Sequence, residues 1–182
     1  MKNLIYTIIL STFMYSCGSK PTQKSKSTTP PANSQTAIIQ LDNIQLNVPE
    51  GWEKVTPTSS MRVAQMNLKS DPSIQMTVFF FGEQDMIQQN IDRWKGQFTQ
   101  LTEFTELSSQ KPEVSAVKIL GTFKQKARPM ASDFTEAPGY GTLAAIVPSK
   151  SGPYYIKLSA PEAIILSQEN GFMQMLDSYS SN

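Results

Sequence analysis

The chain has 182 residues, with 16 Lys+Arg against 15 Asp+Glu, one cysteine and no histidine. Near-neutral charge argues against a nucleic-acid binder, which needs a basic stripe. With no imidazole, His-based catalytic triads and His metal sites are excluded.

The first element is a leader. Met1-Lys2-Asn3 opens on a positive charge, Leu4 to Tyr15 is an apolar run of about twelve residues, and Ser16-Cys17-Gly18-Ser19 supplies small residues at a cut. That is a secretory signal, too short to span a bilayer as a mature helix. Cys17 directly after the cut resembles the lipobox of bacterial lipoproteins, with one departure: Met14 stands where leucine is usual, and bulky Tyr15 follows. The resemblance implies that residues 1–16 are removed and that Cys17 is acylated, making membrane lipid its first partner and the bacterial envelope, facing the periplasm, its location. Multiple acyl chains satisfy the need for more than one anchoring signal. With Cys17 so used, thiol catalysis and thiolate metal sites are excluded as well.

Residues 18–35 (GSKPTQKSKSTTPPANSQ) carry no aromatic and almost no aliphatic side chain, so ordering them gains too little burial to offset the entropy lost. They read as a tether with a typical reach of roughly 25 Å and about 60 Å at full extension. Lys20, Lys24 and Lys26 either lie against anionic headgroups or keep the tether in solution. Residues 36–182 are long enough for one domain with a sizeable core and hold 12 basic and 15 acidic residues, a net −3.

Within that domain, Ala37–Leu41 and Ile44–Val48 flank Asp42-Asn43 and predict a β-hairpin. Val48-Pro49-Glu50-Gly51-Trp52 closes it in a turn. Met61–Leu68 predicts a strand broken by Asp71-Pro72, and Ile74–Phe81 alternates and then turns wholly apolar, as a central strand does. Ile87, Ile91, Trp94, Phe98 and Leu101 recur at spacings of four, three, four and three, predicting one helix with Gly96 inside it. Trp94 falls on that stripe and reads as core. Further strands are predicted at Ser115–Gln125, Tyr140–Val147 and Tyr154–Leu158, the last two joined by a hairpin loop at Ser149–Gly152. Ser159-Ala160-Pro161-Glu162 has capping-box spacing for a final helix, with Asn170-Gly171 a point where it could divide. The order predicts an α+β domain: an antiparallel sheet of about six or seven strands with helices packed on its faces.

The VPEGW turn after an early hairpin, and the strand pair Gly139–Val147 and Tyr154–Leu158 leading into a helix that ends Met175-Leu176-Asp177-Ser178-Tyr179, resemble the PsbP-like fold. That resemblance implies a sandwich with a binding or assembly role and no catalysis; it assigns no binding residue.

No phosphate loop is present, and Gly139-Tyr140-Gly141 reads as a turn into a strand. No catalytic residue, metal site or cofactor is assigned. Glu83 and Asp85 at the strand-to-helix junction read as helix-dipole and capping acids, and Asp133 and Glu136 as solvated loop residues. The expected partner surface is Trp52, beside the Gly51 turn, with Arg128 and Phe134 in the loop from Arg128 to Pro138, which is long for a hairpin. The expected function is non-catalytic binding or assembly with an envelope protein. The alternatives are a carboxylate-dependent hydrolase of envelope glycan, which needs two facing carboxyls, and a carrier of a small apolar ligand between sheet and helices.

Overall fold

The computed structural model describes residues 37–83, 86–128 and 131–181. The leader, Cys17, the tether and Asp85 lie outside the described residues. In chain order the elements are β1 (Ile38–Leu41), β2 (Ile44–Asn47), β3 (Trp52–Val55), β4 (Arg62–Leu68), β5 (Asp71–Phe80), α1 (Ile87–Lys95), β6 (Phe98–Leu107), β7 (Ser115–Gln125), β8 (Thr135–Val147), β9 (Tyr154–Pro161), α2 (Glu162–Asp177) and β10 (Ser180–Ser181).

Leu41 faces Ile44 across the first hairpin, so Asp42-Asn43 is the predicted two-residue turn, with Asp42 at a φ of 48° that its short polar side chain tolerates. Period-2 alternation then buries Ile39, Leu41, Ile44 and Leu46 together. The N–H of Trp52 donates to Pro49 O at 3.1 Å with Gly51 at a φ of 81°, a type II turn that redirects the chain. Trp52 does not end in that turn as expected; it begins β3, paired with Leu68.

All strand pairs are antiparallel, in two sheets: β1-β2-β10, and a seven-stranded sheet in the order β3-β4-β5-β9-β8-β7-β6. Asp71-Pro72 opens β5 rather than breaking the chain between strands. The register jumps there from Asn67↔Gln75 to Leu68↔Asp71, so proline's missing N–H costs no ladder bond.

Alternation along the central strands divides the core. Leu143, Ala145, Val147, Ile156 and Leu158 face one side with the small sheet and with Ile165, Phe172, Met175 and Leu176 of α2. Ala144, Ile146, Val117, Ile119 and Tyr155 face the other with Trp94 of α1 and Phe98. Helices therefore cover both faces, as expected, in a strand-dominated α+β sandwich. The small sheet and the sixteen-residue α2 cover one face; the nine-residue α1 is the helix on the other.

Three local expectations are corrected. The stripe from Ile87 to Leu101 is not one helix: α1 stops at Lys95 with Gly96 as its cap, and Phe98–Leu107 is a full strand, whose residues Thr99, Thr102 and Thr105 favour extended backbone over helix. Gly139 is not in a turn between elements. It sits inside β8 at a φ of 68°, in the bulge between Gly121↔Tyr140 and Phe123↔Ala137. The capping box at Ser159 does not form, because β9 runs on to Pro161 and the Ser159 hydroxyl instead meets Thr142 Oγ1 at 2.8 Å. Asn170-Gly171 leaves α2 unbroken, and a Cβ at Gly171 would stand 3.5 Å from Pro49 Cβ. No described helix is long and apolar enough to cross a membrane.

Candidate functional site

Three bulges shape one end of the sheet beside α1. Register shifts at Phe98/Gln100 and Leu101/Glu103 in β6, and opposite Gly121/Phe123 in β7–β8, bend the strands there. Gly121 lies at a φ of 155°, and a Cβ on it would fall 2.0 Å from Gln100 O, so only glycine permits this approach of β6 to β7. The bend opens a cavity of about 710 Å³ lined by Arg93, Gly96, Gln97, Phe123, Lys124, Lys126, Ser132, Phe134 and Lys157.

Lys157 is its most unusual member. It lies in β9, the middle strand of the seven, between Thr77 of β5 and Ala144 of β8. Its Nζ donates to Gln97 Oε1 and stands 5.6 Å from the centre of the Phe123 ring. No carboxylate among the described residues pairs with it; the described ion pairs are those of Lys118 with Glu103 and Glu169. Burial, with the neighbouring Arg93 charge adding to it, lowers its pKa to about 8.

Arg93, Lys124 and Lys126 line the same cavity. Arg93 Nη2 donates to Asn90 Oδ1 at 2.7 Å and its guanidinium lies 5.8 Å from the Phe81 ring centre. Lys124 Nζ donates to Gly96 O at 2.8 Å, binding β7 to the C-terminal end of α1 where a cation suits the dipole. It also lies 5.8 Å from the Phe134 ring. Phe123 is fixed by an edge contact to Phe98 and a stack on Tyr140, with centroids 5.2 and 6.0 Å away. Phe134 is 43% exposed at the rim. Acids stand nearby but do not line the cavity: Glu136 is opposite Lys124 in register, and Asp133 shares a separate pocket of about 320 Å³ with Lys126 and Phe134.

The structure thus places Phe134 in the cavity wall, while Arg128 is exposed outside it, its backbone O accepting the Ala131 N–H at 3.0 Å. Trp52 is corrected from surface to core: it is 3% exposed, and its Nε1 donates to Gln168 Oε1 on α2 at 2.8 Å. Trp94 is equally buried, in the core as expected. Glu83 precedes α1 without capping it; the first turn holds no acid, and the cap residue Met86 makes no side-chain bond. Glu83 instead shares a cavity of about 340 Å³ with Glu113, Lys150 and Ser149. The Arg128–Pro138 loop is shorter than expected, since β8 takes Thr135 onward, Glu136 included. Sequence reasoning missed Lys157. Its signal was a single cation in the apolar strand YYIKL.

No family model matches the sequence, and no curated protein matches it. Among solved structures it is similar to cyanobacterial PsbP (CyanoP) from Synechocystis, at 10% identity over 78% of this chain and 88% of that one, with a TM-score of 0.47. It is similar to a Bacteroides thetaiotaomicron protein at 8% identity over 77% of this chain, TM-score 0.48, and spans 45% of that protein's length. It is also similar to LpqN, involved in cell envelope biogenesis of Mycobacterium tuberculosis, at 12% identity over 82% of this chain and 86% of that one, TM-score 0.45.

Proposed function

We propose that this is a lipid-tethered, non-catalytic binding domain of the bacterial envelope, whose cavity beside α1 receives a negatively charged group of its ligand or partner. One observation carries the reading. The domain from Thr36 onward is net negative, yet four of its 12 cations line a single cavity and no acid lines it with them. Cations brought together with no carboxylate in the same lining cost stability through repulsion and lost hydration. A site that breaks the packing rule in this way is where function is to be sought.

The lining favours holding over transforming: it offers cations, rings, the Gln97 amide and the Ser132 hydroxyl, without a carboxylate to pair with them as general acid or base. Four cations also disfavour the apolar-carrier alternative. The hydrolase alternative is left the smaller cavity, which Glu83, Glu113 and Lys150 line.

Thermal melting at constant ionic strength tests the reading. Ligands that bind only the folded state raise its stability by mass action. Exchanging chloride for phosphate is expected to raise the melting temperature of the wild type by several degrees, and that of the Arg93→Gln/Lys126→Gln double variant by much less. Equal melting in both salts for the wild type contradicts the reading.

A further inference from the structure

Resting on that reading, we infer that the ligand is a small organic anion that joins a phosphate or carboxylate group to an apolar, ring-sized body, and that it binds charged end inward. A volume of about 710 Å³ falls in the range of small-molecule sites, roughly 300–1,000 Å³. The charges and rings of this cavity are not mixed at random. Lys157, partly buried on the central strand, forms the inner end, and Arg93, exposed on α1, adds its charge to it. Phe134 and Lys126 are exposed and form the outer end. Phe123 lines the wall between, its ring held from two sides by Phe98 and Tyr140.

An anion seated inward meets the partly buried Lys157, where reduced hydration strengthens a charged hydrogen bond, within the field of the exposed Arg93. It supplies the counter-charge that the inner end lacks. Lys157 otherwise has the Gln97 amide, Thr77 (whose Oγ1 bonds Lys157 O at 3.3 Å), Ala144 and the Arg93 charge, while the cations Lys124 and Lys126 line the same cavity and no carboxylate lines it. A ring extending outward covers Phe123 and Phe134 and gains apolar contact that a bare inorganic ion cannot make. A purely apolar molecule would leave the inner cation facing hydrocarbon.

Calorimetric titration of the mature lipidated protein in a neutral detergent separates the possibilities. The probes at pH 7 are phenyl phosphate, inorganic phosphate, benzyl alcohol and a soluble short-chain phosphatidylglycerol. Phenyl phosphate is expected to bind at least tenfold tighter than inorganic phosphate or benzyl alcohol. Lys157→Met removes at least tenfold of that affinity, and Phe134→Ala brings phenyl phosphate down to the level of inorganic phosphate. Short-chain phosphatidylglycerol tighter than phenyl phosphate assigns the class to a lipid headgroup, and the reverse order to a soluble anion; both orders support it. Equal affinity for phenyl phosphate and inorganic phosphate overturns the inference and leaves an anion site standing. Binding of benzyl alcohol alone, or of no probe, overturns both. Lys157→Met with full affinity overturns the inward orientation.

Discussion

At the scale of single residues, Lys157 is the point where folding and binding pull against each other. A lysine is rarely taken out of water without an opposite charge, and burial with the Arg93 charge brings this one from 10.5 to about 8. The sign follows from proton counting. Below pH 8 both the folded and unfolded chains hold the proton, and the folded chain bears the whole cost of the buried charge. Between about 8 and 10.5 the unfolded chain binds more protons, so this residue makes stability rise with pH across that window. Lys118 acts in the opposite sense at higher pH, since Glu169 and Glu103 raise its pKa and its contribution is lost above 10.5. Urea denaturation of the wild type should therefore give a higher midpoint at pH 9.5 than at pH 7.5. A flat or falling midpoint would show that Lys157 is better hydrated than its surroundings imply.

At the scale of elements, the cavity is a product of irregular strands. The bulges in β6, β7 and β8 turn regular ladders into a curved wall, and Gly121 lets β6 close on β7. Gly121→Ala forces its methyl group into Gln100 O and is expected to destabilise the domain by about 3 kcal/mol or more, read as a lower urea midpoint. An unchanged midpoint would mean the bulges are not held there. The same irregularity limits what could be read in advance. The first hairpin, β7 and the β8–β9 pair were legible because alternation and turn residues agree. β6 was hidden because its apolar residues Phe98 and Leu101 continue the 3.6-residue spacing of α1 through Gly96. Trp52 was misplaced because the type II turn ends on it, while its ring is buried against α2. Phe134 was legible as an exposed loop ring, but the cations that accompany it come from α1, β7 and β9 and meet through the sheet order alone.

At the scale of the whole molecule, coverage of the seven-stranded sheet is unequal. One face carries the small sheet and α2 over a continuous apolar core; the other carries the short α1, and the cavity opens where that helix ends. The proposed anchor at Cys17 belongs to this scale too. Radiolabelled palmitate should enter the wild type and not Cys17→Ser, and equal labelling of the two would remove the tether from the account.

The central claim is that the domain keeps an unpaired cation in its middle strand at the expense of stability so that an anion can bind. The most direct measurement compares wild type and Lys157→Met by urea denaturation at pH 7, without ligand and with saturating phenyl phosphate. Replacing a partly buried charge that has no counter-charge by a side chain of similar volume should raise unliganded stability by about 1–3 kcal/mol, and the ligand should stabilise the wild type more than the variant. A less stable Lys157→Met protein that responds to phenyl phosphate as fully as the wild type would contradict the account.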